Sequence, residues 1–447
     1  MAFTARPSSR YLGPAGVVGL VVGMALLWVL ARPAGQQDGS YYGQLLGAEA
    51  VLLMSLGLVL ISTLPWVETY FDGIDHAAIW HRRVAITGIA LLLPHVLLSS
   101  GQGAIPGWVN PAGVVATVGL VFLVVWSILP RWRSVVPAPG RRLILRLHDL
   151  RAVRLLSRLV SDYEVWRTVH RTTGLFLAIG FVHGILAGTP FDEAPVLRWT
   201  YVGVGAIGLA FYVYRELFAR RGHGLRDYEV LRVTPLAGDL TEIVLRPLGK
   251  PLVYEPGQFA ILHLEAKDGW HRHPFTLASS PGEPEVRVTV KALGDFTASL
   301  ATQVRVGMPA VLSGPHGRFT HAKGTARQIW VAGGVGVTPF LSWARSLEGH
   351  PPPGPVDLFY TVVDDAPYAE ELQKITDARS DIELHVVRTV SQPRLTAATL
   401  LAVVGGSPDD VSVFMCGPTP MINSLLTGLR HAGVPSRRIH REHFDWR

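Results

Sequence analysis

Cysteine is nearly missing. The 447 residues hold one, Cys416, which excludes an internal disulfide and any iron–sulfur cluster held by four protein cysteines. Lysine is missing from the whole first half: Lys250 is the first in the chain, and the basic residues before it are arginines gathered in a few loops. The formal net charge of +7 is therefore a signal of membrane topology and not the footprint of a nucleic-acid-binding surface. Hydrophobic residues make up 49% of the chain and the mean hydropathy is +0.29, too apolar for an ordinary soluble protein. The length suggests two or three domains.

What is there instead is a series of six apolar segments, roughly 11–31, 43–64, 80–99, 112–130, 167–187 and 196–217. Most are near the ~20 residues that a membrane-spanning helix needs. The first lacks a small-residue cleavage site and reads as a helix, not a signal peptide. The loop 131–158 carries Arg131, Arg133, Arg141, Arg142, Arg146, Arg151, Arg154 and Arg158, whereas the turns 100–111 and 188–195 carry no arginine. The arginine-rich side is cytoplasmic, which puts both termini there too. Arg6, Arg10, Arg215, Arg220, Arg221 and Arg226 agree. The expected location is a bacterial inner membrane, spanned several times.

Two of these segments begin and end on histidine: His81 to His95 and His170 to His183. A spacing of 14 or 13 residues is close to a whole number of turns, so both rings of a segment leave one face, roughly 20 Å apart along the axis. Histidine in lipid is expensive without a partner. For any one of them the alternative is a ring hydrogen-bonded inside a helix bundle. Two pairs at near-identical spacing favour axial ligation of two haems, His81 with His170 on the inner side and His95 with His183 on the outer. Arg82 and Arg171 follow the inner ligands, where they serve either as haem propionate partners or as positive-inside anchors. Glu49, two turns into the second segment, is a functional candidate by its depth.

After Arg226 the pattern changes. Tyr228 to Arg246, Phe259 to Leu264 and Val286 to Val290 read as strands of a small antiparallel barrel. From about 325, strands at Ile329–Ala332, Asp357–Val362, Ile382–Val387 and Val411–Met415 alternate with helical stretches, the pattern of an α/β parallel sheet. At its first strand-to-helix turn lies Gly333-Gly-Val-Gly-Val-Thr-Pro-Phe340, a glycine-rich approach to a pyrophosphate. The division expected is 1–225, a six-helix transmembrane di-haem domain; 226–323, a β-barrel; and 324–447, an α/β domain; a resemblance carried by four motifs makes the second FAD-binding and the third NAD(P)-binding.

The second half resembles the ferredoxin-NADP reductase type of flavin module. The whole chain resembles bacterial members of the NADPH oxidase and ferric reductase family. Four motifs carry the likeness. His273-Pro274-Phe275-Thr276 stands where the family binds the flavin; the resemblance implies that Phe275 packs near the isoalloxazine and Thr276 hydrogen-bonds it. Val290 and Lys291, then Gly294 and Thr297, resemble the turn that holds the FAD pyrophosphate. Gly333, Gly334, Gly336, Thr338 and Pro339 resemble the nicotinamide nucleotide loop, paired with Cys416, Gly417 and Pro418. Phe444 resembles the aromatic that covers the flavin until nicotinamide displaces it.

The family likeness implies an NAD(P)H-dependent oxidoreductase with FAD and two haem b. Electrons leave cytosolic NADPH or NADH singly through the flavin, cross by the two haems, and reach an extracytoplasmic acceptor. With histidine on both sides of each iron no coordination site stays open, so the acceptor is reduced at the haem edge. Molecular oxygen would make the protein a superoxide-producing oxidase and a ferric chelate an iron reductase. Ser99, one turn beyond His95, stands where animal-type oxidases carry a further histidine, which tilts the reading towards metal reduction. Asp364 and Asp365 suit a ribose hydroxyl and Arg388 and Arg394 a 2′-phosphate; the family points to NADPH. The second reading is an electron-relay subunit donating to a periplasmic protein.

Overall fold

The computed structural model describes residues 9–32, 38–62, 64–99, 107–128, 163–218, 225–266, 269–293, 295–405 and 407–442. The arginine-rich loop 131–158, Arg6, Arg220, Arg221, Gly294 and Phe444 lie outside them. The chain divides into two compact units, Met1–Arg221 and Gly222–Arg447.

The first unit is helical: α1 (Ser9–Leu30), α2 (Asp38–Leu60), the short α3 (Pro65–Phe71), α4 (Ile74–Leu98), α5 (Val109–Ile128), α6 (Tyr163–Arg171), α7 (Thr173–Ala187) and α8 (Pro195–Val213). Among the described residues, six spans are long and apolar enough to cross a membrane, with α6 and α7 forming one of them. That span breaks at Thr172, because the hydroxyls of Thr172 and Thr173 donate to the carbonyls of Val169 and His170 and compete with the helix ladder. The α2 helix is the hub. In its apolar window 72% of residues are buried, against 17–33% in the other five, whose outward faces expose side chains such as Leu26, Leu93, Val118 and Trp199. Apolar outer faces of this extent mark contact with a membrane or with protein. Small residues bring helices close: Ser55 of α2 stands directly against Gly208 of α8.

The second unit holds two sheets. The first is antiparallel and curled, with strands β1 (Leu225–Leu236), β2 (Leu240–Pro247), β3 (Phe259–Ala266), β4 (Gly269–Thr276), β5 (Val286–Lys291) and β6 (Pro309–His316) in the order β4-β3-β6-β1-β2-β5. The run Tyr228–Arg246 is two strands, not one, because Gly238 and Asp239 take φ of +71° and +59° and turn the chain into a hairpin. Sequence patterning missed β4 and β6. Pro274 offers no N–H to a ladder, and β4 tolerates it as an edge strand.

The second sheet is parallel: β7 (Arg327–Gly333), β8 (Val356–Val362), β9 (Ile382–Arg388), β10 (Val411–Cys416) and β11 (Ile439–Glu442), in the order β11-β10-β7-β8-β9. The helices α10 (Thr338–Arg345), α11 (Ala369–Asp377), α12 (Ala397–Val404) and α13 (Thr419–His431) connect its strands, while α9 (Asp295–Gln303) follows β5. The strand order reverses between β7 and β10, so their carboxyl ends form the crevice where such sheets bind ligands. Trp330, Phe340, Trp343 and Phe414 fill one face of the sheet.

His321 is buried beside that cluster, with its ring centre 5.5 Å from Trp330 and 5.1 Å from Trp343. Burial pushes its pKa down to about 4. Between pH 6.5 and 4 the unfolded chain takes up a proton that the folded chain refuses, so stability present above pH 6.5 drains away as the pH falls through this window. The melting temperature of the second unit is expected to drop from pH 7.5 to 4.5, and to drop less steeply in His321→Gln. Parallel slopes for the two proteins would contradict this.

Candidate functional site

The four helix histidines come together in two pairs. His81 of α4 and His170 of α6 have ring centres 6.4 Å apart with planes at 88°; His95 of α4 and His183 of α7 are 6.3 Å apart at 76°. The pairing makes the two spans parallel. Each ring is held through Nδ1. His81 Nδ1 lies 2.9 Å from the Gly57 carbonyl, His95 Nδ1 2.8 Å from the Gly43 carbonyl and His183 Nδ1 2.8 Å from the Val109 carbonyl. His170 Nδ1 lies 2.9 Å from Ser127 Oγ, whose own proton goes to the Leu123 carbonyl. All four acceptors require the proton on Nδ1, which leaves the Nε2 lone pair for a metal.

Distance supports the same use. A metal–imidazole bond of about 2.1 Å plus the roughly 1.1 Å from ring nitrogen to ring centre gives about 6.4 Å between two rings on opposite sides of one ion. Both pairs match that span. The donor set, two neutral imidazoles per site, suits a haem iron. Sequence reasoning found the rings but not their tethers. The available signal was in α2, where Gly43 and Gly57 repeat the 14-residue spacing of His81 and His95, and Gly47 sits where any Cβ would stand 2.6 Å from the His95 ring.

The two arginines diverge. Arg171 is paired with Glu216, its Nε donating to Oε2 at 2.7 Å, while Arg82 is exposed. Glu49 is 5% exposed and neither of its carboxylate oxygens has a hydrogen-bond partner. Ser99 Oγ lies 3.3 Å from His95 Nδ1.

In the second unit, His273, Pro274, Phe275 and Thr276 form the end of edge strand β4. The His273 and Phe275 rings are 6.4 Å apart, and Thr276 is buried opposite Phe259 of β3. Val290 and Lys291 close β5. Thr297, in the first turn of α9, accepts from the Leu293 N–H at 3.0 Å.

The glycine-rich loop behaves as its sequence suggests. β7 ends at Gly333, a single turn covers Gly334–Val337, and α10 starts at Thr338 with Pro339 at its head. Gly334 has φ +55°, favoured by glycine. Gly336 packs against β10: a Cβ on it would stand 2.3 Å from the Cys416 carbonyl. Gly333 touches Pro418, and Gly417 lies against the Gly333 backbone. The two loops thus meet at the sheet's crevice, where Gly334 and Val335 are the partly open residues ahead of the helix start. Cys416 itself is fully buried, and burial pushes its thiol pKa far up, so it serves there as a small packed side chain.

The α10 helix fastens this loop to the flavin-type sheet. Ser342 Oγ donates to the Ser279 carbonyl at 2.9 Å, Trp343 Nε1 to the Pro256 carbonyl at 3.2 Å and Arg345 Nη1 to the Ala278 carbonyl at 2.7 Å. Arg345 also grips Glu371 of α11 through two bonds of 2.7 and 2.8 Å. From the other side Tyr368 meets Thr289 of β5 at 2.7 Å. All three carbonyls flank the segment Gly257–Leu277, which contains the HPFT strand. The nucleotide-type loop and the flavin-type strand are therefore parts of one fixed frame.

A curled antiparallel sheet joined to a parallel sheet with its glycine loop at the switch point defines a flavin- and nicotinamide-dependent oxidoreductase module. Residues 226–337 match the FAD-binding domain family and residues 330–426 the oxidoreductase NAD-binding domain family. Among curated relatives, the reductase component of propane 2-monooxygenase from Rhodococcus jostii is 28% identical over 233 residues, 48% of this chain and 62% of that one. A flavohemoprotein from Oceanobacillus iheyensis is 24% identical over 242 residues, 49% and 59% of the two chains. The ferredoxin–NAD(+) reductase component of the alkene monooxygenase system of Xanthobacter autotrophicus is 30% identical over 219 residues, 47% and 67%. The chain thus spans about three fifths to two thirds of the length of these relatives. Through its second half the chain belongs to this family of FAD- and NAD-binding reductases, the ferredoxin-NADP reductase type of module.

Gly336→Ala tests the loop packing. Forcing a methyl into the Cys416 carbonyl is expected to lower the stability of the second unit by about 1–3 kcal/mol. It should also raise the KM for NAD(P)H at least tenfold, read with ferricyanide as acceptor. An unchanged melting temperature and KM would show that the two loops are free to part.

Proposed function

We propose that the protein is a transmembrane flavocytochrome of the NADPH oxidase and ferric reductase type, moving electrons from cytosolic NAD(P)H through FAD and two b-type haems to an extracytoplasmic ferric chelate or oxygen. The observation that carries this reading is the pair of 6.3–6.4 Å imidazole separations, on helices long and apolar enough to span a bilayer, in one chain with a flavin reductase module. When bound, the flavin splits the hydride's electron pair and the haems pass single electrons across the bilayer.

The chain's own residues supply the rest. His81 and His170 hold the inner haem, and His95 and His183 the outer one, each ring fixed in its Nδ1–H tautomer by a carbonyl or by Ser127. His273, Phe275 and Thr276, with Val290, Lys291, Gly294 and Thr297, bind FAD, and Phe444 covers it. The backbone of Gly333, Gly334 and Gly336 receives the nucleotide pyrophosphate, opposite Cys416, Gly417 and Pro418. NADPH is the preferred donor by family likeness. Arg171, engaged by Glu216, steadies the α6 end next to His170, and Arg82 is the freer partner for a propionate. The domain boundaries are 1–225, 226–323 and 324–447, in a bacterial inner membrane with both termini cytoplasmic.

A second reading, an electron relay to a periplasmic protein, draws on relatives that are reductase components of larger oxygenase systems. The test is NADPH consumption by the purified full chain, with cytochrome c in one cuvette and a ferric chelate in another. Ferric reduction insensitive to superoxide dismutase is expected. Dismutase-sensitive cytochrome c reduction identifies the oxidase instead, and no turnover with either acceptor favours the relay. His95→Ala should lose the outer haem and transmembrane turnover while flavin reduction by NADPH stays within twofold of the parent. Retention of both haems would overturn the ligand assignment.

A further inference from the structure

Arg82, Arg171 and Arg215 border the inner histidine pair, and they are not equivalent. Arg82 follows His81 but is exposed, so water and salt screen its charge. Arg171 follows His170, and its charge is matched by Glu216. Arg215 is half-buried past the end of α8, and of the three it alone acts electrostatically on both rings, His81 and His170. The outer pair differs: no arginine among the described residues acts on His95.

The geometry of α8 accounts for this placement. Gly208 lies against Ser55 of α2, two residues before Gly57, whose carbonyl holds His81. Arg215 comes seven residues, about two turns, after Gly208 and so leaves the helix on the same side, towards the inner end of α2. On the adjoining side Tyr212 Oη donates to the Arg171 carbonyl at 2.8 Å and its ring lies against Gly174, while Glu216 takes the Arg171 side chain. These contacts pin the end of α8 to the residue that follows His170. Arg215, between Tyr212 and Glu216 in the chain, is thereby held between the inner end of α2 and the His170 end of α6. The helix widens there into a π-turn, Tyr214–Phe218, a departure from α geometry that is frequent at functional sites.

A positive charge held beside a haem favours the form that carries one more electron, and does so most where the charge is partly shielded from water. We propose that Arg215 is a tuning residue of the inner haem site: its charge raises the reduction potential of the haem held by His81 and His170 above what the two imidazoles alone would give, and leaves the outer haem untouched. Glu216 belongs to the same arrangement. By matching Arg171 it limits the positive charge at the inner pair to what Arg215 supplies. The proposal rests on the flavocytochrome reading.

The test is a potentiometric titration of the purified full chain in phospholipid nanodiscs, followed through the haem absorption bands, with haem counted for every variant. Arg215→Gln should disfavour reduction of the inner haem about tenfold, a midpoint lowered by about 59 mV, while the outer midpoint stays where it is in the parent. Arg215→Lys, which keeps the charge, should recover most of that shift. Glu216→Gln, which leaves the Arg171 charge unmatched, should move the same midpoint the other way, upward by about threefold in the equilibrium. The His95→Ala chain, which keeps the inner haem, assigns the two midpoints. Unmoved midpoints in Arg215→Gln, equal shifts of both midpoints, or no recovery in Arg215→Lys would overturn the proposal. Where Arg215→Gln does not retain haem, Glu216→Gln decides: an upward shift supports the tuning role, and an unmoved or falling midpoint overturns it. A parent chain that binds no haem would instead overturn the flavocytochrome reading, whereas two haems with unmoved midpoints would sink the tuning role alone.

Discussion

Four hydrogen bonds to the Nδ1 atoms of His81, His95, His170 and His183 govern the first unit. Each uses a carbonyl lone pair or a serine hydroxyl, and each fixes the proton on Nδ1, leaving the lone pair on Nε2. The tethers come from different helices than the rings. α2 holds both histidines of α4, and α5 holds those of α6 and α7. That division accords with the burial of α2, which is at once the packing hub and the tether of two of the four histidines. Glycine at Gly47 of α2 and Gly113 of α5 follows from the same demand, since a Cβ at either would stand 2.6 Å from the His95 ring or 2.7 Å from the His183 ring.

The second unit solves a different problem, holding two binding elements from separate sheets at a constant relation. Its answer is α10, which begins as the nucleotide-type loop and, within two turns, places Ser342, Trp343 and Arg345 on the backbone around the HPFT strand. Hydride transfer depends on placement within a fraction of an ångström. A helix that shares its residues between the two sites provides that placement without a flexible hinge. The Arg345–Glu371 pair and the Tyr368–Thr289 bond extend the same frame to α11 and β5.

Much of this was legible from periodicity. Six apolar stretches of spanning length read directly as the six long helices, and the alternation after residue 325 as the parallel sheet. The glycine loop at Gly333–Gly336 lay where strand meets helix. What escaped notice did so for physical reasons. β4 and β6 carry proline, glycine and histidine in place of the β-branched run that marks a strand, since an edge strand and a strand bent within a curled sheet can do without it. β11 has four residues, too short to announce itself. The break after His170 depends on two threonine hydroxyls turning back on the helix, and the Arg171–Glu216 pair on a contact 45 residues distant. Hydrogen-bond partners at such separations leave no mark in local patterning. The roles assigned to the motif residues, Gly294 and Phe444 among them, are carried by family likeness and chemistry.

The near-perpendicular imidazole planes, 88° and 76°, give the account its most direct test. Crossed axial imidazoles on low-spin ferric haem produce a strongly anisotropic electron paramagnetic resonance signal, distinct from that of parallel rings or of a five-coordinate iron. Low-temperature spectra of the oxidised full chain, with haem counted by the pyridine haemochrome method, should show two haems per chain, both low-spin and both of the anisotropic type. A chain purified from haem-replete cells with fewer than two haems, or with a dominant high-spin signal, would contradict the claim that these four rings are built to hold iron in pairs.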